Sequence, residues 1–215
     1  MGNYLNQDGK KFYEITHSDI YVDKTELLTY TNSVLQTLQK YICISRPRRF
    51  GKSITASMIA AYYSRGCDSR EMFQGLKIAK HTDFEKHLNQ YNVIHLNMRD
   101  YLTESENMKQ LIQFVEEDLL DELQQEFADL RMPRRRTLVK VLEQAFAQYK
   151  IPFVFIIDEW DCIFRVHKSD AASQKTYLDF LRNLLKDKSY IALAYMTGIL
   201  PIKKYGEHSA INAFY

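Results

Sequence analysis

The sequence predicts an α/β protein: a parallel central sheet with helices on both faces. Three observations predict it. Short apolar runs alternate along the chain with segments whose apolar residues recur at helical spacing, the order that produces layered α/β domains. One uninterrupted apolar run, Phe153-Val154-Phe155-Ile156-Ile157, is apolar on both faces, as expected of a strand in the middle of a parallel sheet. The chain has 215 residues, 46% of them apolar, enough to bury a full core without metal or disulfide staples.

Taken in order, the first 40 residues contribute a helix over 24–39, with Asp23 placed to cap its start. Tyr41–Ser45 reads as the first strand and 53–64 as the helix after it. Asn92–Asn97 reads as the second strand, carried by Val93, Ile94 and Leu96. Ile112, Val115, Leu119 and Leu123 fall on one helical face, so a long helix spans about 108–130 until Met132-Pro133 breaks it. A helix over 134–149 follows, with Leu138, Leu142 and Phe146 on one side. The strand at 153–157, a helix over Ala171–Leu185 and a fourth strand over 190–196 complete the pattern. No internal repeat and no Gly/Ser linker divides the chain, so 1–215 reads as one domain. A polar loop follows the fourth strand and no closing element comes after it, which predicts that Tyr215 ends a piece of a longer protein.

Composition excludes several classes. The formal charge of +2 argues against a general polyanion-coating protein, while leaving a local basic patch open. Cys43, Cys67 and Cys162 are odd in number and form no CxxC pair, as expected of free thiols in a reducing compartment. The amino terminus shows neither a secretory nor a myristoylation pattern, and no apolar run approaches the length of a membrane span. A soluble, cytoplasmic protein is expected. The six His form no HxxxH or HxH pair, so no transition-metal site is proposed.

The residues that carry chemistry begin with Arg46-Pro47-Arg48-Arg49-Phe50-Gly51-Lys52-Ser53, which follows a strand and opens a helix. A phosphate-binding loop needs Gly so that backbone amides can crowd phosphate oxygens. It also needs a Lys for the β- and γ-phosphates and a hydroxyl for Mg²⁺. Gly51, Lys52 and Ser53 supply these, although Arg46 stands where the usual first Gly would be. Ile157-Asp158-Glu159 places two carboxylates at the end of an apolar strand, the sheet edge where ligands bind in open α/β folds. Asp158 is the candidate for Mg²⁺, and Glu159 for polarising the water that attacks a γ-phosphate. Thr197-Gly198 ends the fourth strand, either as a sensor that touches the γ-phosphate or the water, or as a simple turn. Arg134-Arg135-Arg136 at a helix start is unfavourable by the dipole argument, and Lys203-Lys204 follows the fourth strand; both read as solvated charge or as anion contacts.

Tyr21-Val22-Asp23-Lys24-Thr25-Glu26-Leu27-Leu28, the 46–53 string, Ile157-Asp158-Glu159-Trp160-Asp161 and Thr197-Gly198-Ile199-Leu200-Pro201-Ile202-Lys203 together resemble the AAA-ATPase-like family of bacterial P-loop proteins, from about Tyr13 onward. The resemblance implies a three-layer P-loop NTPase fold of the additional-strand type. It implies ATP and Mg as cofactors, with the 46–53 loop on the phosphates, Ser53 and Asp158 on the metal, and Lys52, Glu159 and Thr197 catalytic. Residues 1–40, Asp23 among them, would flank the base, although Asp23 reads equally well as a helix cap. Arg46, Arg48, Arg49 and Arg165 are candidates to clamp phosphates or to hold the loop against Asp161. Members of the family often carry a PD-(D/E)XK nuclease-like domain after the ATPase. The 215 residues do not include it, so nuclease activity is not carried over. The expectation is therefore Mg-dependent ATP hydrolysis, with a downstream domain or protein as partner and with nucleic acid and self-association left open. The alternatives are a switch or docking module that binds ATP with little hydrolysis, and a small-molecule kinase.

Overall fold

The computed structural model describes residues 2–201, and within it four strands form one all-parallel sheet. The strands are β1 (Tyr41–Ser45), β2 (Asn92–Asn97), β3 (Phe153–Asp158) and β4 (Ile191–Gly198), in the spatial order β1-β4-β3-β2. Ten α-helices and one 3-10 turn accompany them among the described residues. None of these helices is long and apolar enough to cross a membrane.

Side-chain alternation along the central strands sorts the core into two layers. Phe153, Phe155 and Ile157 of β3, with Ala194 and Met196 of β4, face α6 (Met98–Glu104), α7 (Met108–Glu126), α8 (Leu138–Tyr149), α9 (Cys162–Val166) and α10 (Ala171–Leu185). Val154 and Ile156, with Leu193 and Tyr195, face α1 (Lys10–Thr16), α2 (Glu26–Val34), α3 (Lys52–Tyr63), α4 (Arg70–Phe73) and α5 (Phe84–His87). β3 and β4 are buried along their whole length, which is why their sequences are apolar at nearly every position. A fully buried Phe or Leu contributes about 1.5–3 kcal/mol, so these two layers supply most of the drive to fold.

The amino-terminal residues lie beside β2. Leu5 bridges Ile94 in antiparallel sense, and Asn6 N and His95 N donate across the gap to Val93 O and Tyr4 O. The carboxylate of Glu122 on α7 holds the preceding turn by accepting from Asn3 N (2.6 Å), Tyr4 N (3.0 Å) and Leu5 N (2.7 Å). Glu122→Ala removes three charge-assisted acceptor contacts, one from an exposed amide and two from partly buried ones. It is expected to cost about 1–3 kcal/mol, lowering Tm by several degrees in a thermal melt; an unchanged Tm would show that water replaces the carboxylate without loss.

Helix boundaries depart from the sequence expectation for local reasons. The helix expected over 24–39 is only α2, because Leu35 is extended and Gln36 takes φ 58° so that its N–H reaches Ala192 O. The helix expected over 108–130 ends at Glu126, where Phe127 leaves helical geometry to pack on Tyr149 and Phe153. The helix expected from 134 begins at Leu138 after an extended Thr137. Arg134, Arg135 and Arg136 therefore precede it in an exposed irregular segment, and the dipole conflict disappears. β4 extends to Gly198, so Thr197-Gly198 belongs to the strand and is not a turn. Lys203-Lys204 lie outside the described residues.

Candidate functional site

The loop between β1 and α3 joins a strand end to a helix start. Arg49 and Gly51 both adopt left-handed backbone, φ 68° and 75°. At Gly51 a side chain would be strained and would also meet Lys24 Nζ at 3.0 Å. Helices α6, α7 and α10 start with side-chain caps from Asn97, Asn107 and Asp170. α3, like α1, α8 and α9, has neither a side-chain cap nor an acidic residue in its first turn, and its first residue is a cation, Lys52. The helix-start N–H groups, the positive end of the helix dipole and an ammonium thus lie close together, an arrangement that favours negative charge nearby. Lys52 is 9% exposed, and its Nζ donates to Arg46 O and Pro47 O, each at 3.0 Å. Arg48 and Phe50 are exposed on the loop, as is Ser53 in the first turn of α3.

Strand order brings the other residues to the same edge. β4 lies between β1 and β3, with Ile44 paired to Thr197 and Ile157 to Met196, so Thr197 stands between the loop and Asp158. Asp158 is 4% exposed. Its Oδ1 accepts from Thr197 Oγ1 and from Glu159 N, which leaves Oδ2 outside both bonds. Arg46 N donates to Gly198 O at 3.1 Å, tying the start of the loop to the end of β4. Gly198 is required by crowding. A Cβ there would lie 2.7 Å from Trp160 Nε1 and 2.8 Å from Asp161 Oδ1, two buried polar atoms without hydrogen-bond partners.

The residues after Asp158 form an ionic strut. Glu159 turns the chain with φ 55°, a left-handed conformation that costs a non-Gly residue about 1 kcal/mol or more. Its Oε2 pairs with Arg165 Nη2 on α9. Arg165 Nε lies 3.3 Å from Asp161 Oδ2, close enough for charge pairing though not aligned for a hydrogen bond. Asp161 is fully buried, and its Oδ2 accepts from Ile199 N (3.0 Å) and Leu200 N (2.8 Å). The loop after β3 is thereby fixed to the segment that leaves β4.

The segment before β1 forms a wall of the site. A cleft of about 780 Å³ lies between α1, residues 18–24 and the loop, lined by Ile20, Tyr21, Val22, Phe50 and Ile54 among others. Ile20, Val22 and Phe50 are strongly exposed apolar side chains. Burial pushes the Tyr21 phenol up to about 12. Lys24 Nζ reaches across to donate to Phe50 O at 3.3 Å. Asp23, expected among the ligand-binding residues, does not line this cleft. Its Oδ1 accepts from Thr25 N and Oγ1, and its Oδ2 from Lys77 N. Burial opposes ionisation of Asp23, but these bonds and the Lys77 charge outweigh it and lower the pKa. Asp23 thus anchors the cleft wall, two residues ahead of Thr25, which precedes α2.

Lys52, Ser53, Asp158, Glu159 and Thr197 all sit at one sheet edge, with Arg46 and Pro47 supplying the carbonyls that hold Lys52. The contacts of Lys24 and of Arg165 with Glu159 are not legible from spacing, although the Asp161–Arg165 pair has the i,i+4 spacing of a helical ion pair. The four-stranded all-parallel sheet with helices on both faces makes this an α/β protein, an architecture consistent with a P-loop-like fold. The chain belongs to the AAA-ATPase-like family, described as a predicted AAA-ATPase, whose model matches residues 9–206. No curated protein matches the chain.

Proposed function

We propose that the chain is a P-loop NTPase of the additional-strand type that binds ATP with Mg²⁺ on the 46–53 loop and hydrolyses it. The observation that carries this reading is the start of α3: an uncapped helix terminus with Lys52 in it, at a sheet edge shared with buried Asp158. Lys52 would exchange the carbonyls of Arg46 and Pro47 for the β- and γ-phosphate oxygens, a stronger, charge-assisted set of acceptors. The amides of the loop and of the first turn of α3 would hold the same oxygens. Arg48 and Arg49 add cations beside them, and the exposed apolar wall of the cleft, with Phe50, would take the base.

Ser53 and Asp158 fit a divalent ion with oxygen ligands. Asp158 presents an oxygen outside the Thr197 and Glu159 bonds, and among the described residues no cluster of three or more His, Cys, Asp or Glu side chains forms an all-protein metal cage. Mg²⁺ takes such a mixed shell, with phosphate and water filling the rest, and when bound it neutralises charge on the phosphate oxygens. Thr197 contributes by fixing Asp158, since its hydroxyl donates to that carboxylate. Glu159 would orient a water toward the γ-phosphorus and accept its proton as the bond to the β–γ bridging oxygen breaks, leaving ADP and inorganic phosphate.

The test is calorimetric titration of the purified chain with ATP in Mg²⁺, beside an assay of released phosphate with no acceptor present. Saturable Mg-dependent binding together with phosphate release supports the proposal. Binding without release points to a switch or docking module, transfer only to an added acceptor points to a kinase, and no binding overturns the reading of the loop.

A further inference from the structure

Arg165 occupies an unusual place in this site. It lies on α9, whose neighbouring residues Cys162, Ile163 and Phe164 are buried in the core, so its backbone is fixed. Its side chain is only 16% exposed and is shared by two carboxylates of different standing. Asp161 is fully buried and held by two main-chain amides, so it is an anchor that does not move without breaking the link to Ile199 and Leu200. Glu159 is one-fifth exposed, stands on a left-handed turn and has Oε2 on Arg165. Leu200 and Ile199 therefore hold Asp161, Asp161 holds Arg165, and Arg165 holds Glu159.

We propose that Arg165 is a positioning residue: it fixes the Glu159 carboxylate through Oε2 and so leaves Oε1 as the atom that meets the attacking water. This rests on the reading of Glu159 given above. A long carboxylate on a turn would otherwise sample several rotamers, and each must be excluded before a water can be aligned in line with the γ-phosphorus. The guanidinium suits the task because its planar fork can meet two carboxylates at once, whereas an ammonium is a single point charge. Arg165 acts on the turnover step and not on nucleotide affinity, since its two partners lie on the loop after β3 and not on the 46–53 loop.

The experiment compares wild type with Arg165→Met, Arg165→Lys, Glu159→Gln and the double variant Glu159→Gln/Arg165→Met, measuring ATP affinity and single-turnover phosphate release for each. Arg165→Met is expected to slow release about 10- to 100-fold, the scale of a misplaced catalytic group, with ATP affinity within about threefold of wild type. Arg165→Lys should recover part of the rate. In the Glu159→Gln background, Arg165→Met should add no further loss, because the two residues act as one unit. Trp160, the single Trp of the chain, is buried between Glu159 and Asp161, so its emission reports whether the loop survives each substitution. If Arg165→Met disturbs that emission or the fold, Arg165→Lys with wild-type emission carries the comparison, and it must still turn over more slowly. A rate that is unchanged or raised in Arg165→Lys and Arg165→Met, or an equal loss with Glu159 already replaced, overturns the proposal. Failure of the underlying reading looks different: wild type does not bind ATP, or Glu159→Gln turns over normally, and the inference then falls with it.

Discussion

Lys52→Ala is expected to abolish Mg·ATP binding while leaving the fold intact. Lys52 itself contributes little to the fold. Its ammonium sits in the first turn of α3, at the positive end of the dipole, where a cation is destabilising by a few tenths of a kcal/mol or more. The two carbonyls that it engages, Arg46 O and Pro47 O, belong to an exposed loop and can be solvated once it is gone. Truncation should therefore leave Tm within a few degrees of wild type or raise it. The ligand loses much more. Charge-assisted bonds to phosphate are worth about 1.5–3 kcal/mol each, and with two made, affinity should fall at least about 100-fold. Calorimetric titration beside a thermal melt separates the two effects. Binding within threefold of wild type would show that Lys52 does not touch the nucleotide.

How much of this was readable beforehand follows from which interactions are local. The four strands and the helix after β1 were legible because buried parallel strands must be apolar on both faces, and 153–157 has no other use. Gly51-Lys52-Ser53 and Asp158-Glu159 are local sequence strings, and the expected helix start and strand end are where they lie. Helix ends were less legible. Leu35 and Phe127 would continue a helix by propensity, and they leave it because Gln36 reaches Ala192 and Phe127 finds Tyr149 and Phe153. The short helices α1, α4, α5, α6 and α9 span four to seven residues and carry too few turns for a periodic signal. Asp23 reads in sequence either as flanking a ligand, by resemblance, or as a helix cap; its carboxylate is held by Thr25 and by Lys77, the latter contact made only by the folded chain. Gly198 shows the reverse. Thr197-Gly198 reads in sequence as either a sensor or a turn; both residues belong to β4, and tertiary crowding by Trp160 and Asp161 demands the glycine.

Glu159→Gln is expected to retain Mg·ATP binding and to lose turnover by about 10²- to 10⁴-fold, the range for removing a positioned general base. The substitution is nearly isosteric. Gln can keep the left-handed turn and a neutral hydrogen bond to Arg165, and Arg165 keeps its charge partner Asp161, so no buried cation is left alone. Asp158 keeps both donors on Oδ1, because one is the Glu159 main-chain amide and the other Thr197 Oγ1. The residues assigned to phosphate and metal are thus untouched, and only the carboxylate proposed to accept the proton of water is removed. Single-turnover phosphate release alongside titration of binding reads the two quantities separately. A variant that binds and still turns over within threefold of wild type would remove Glu159 from the chemistry, and the Arg165–Asp161 strut would then serve only to join the loop after β3 to the end of β4. A variant that binds without turning over would instead hold the ATP-loaded state in place.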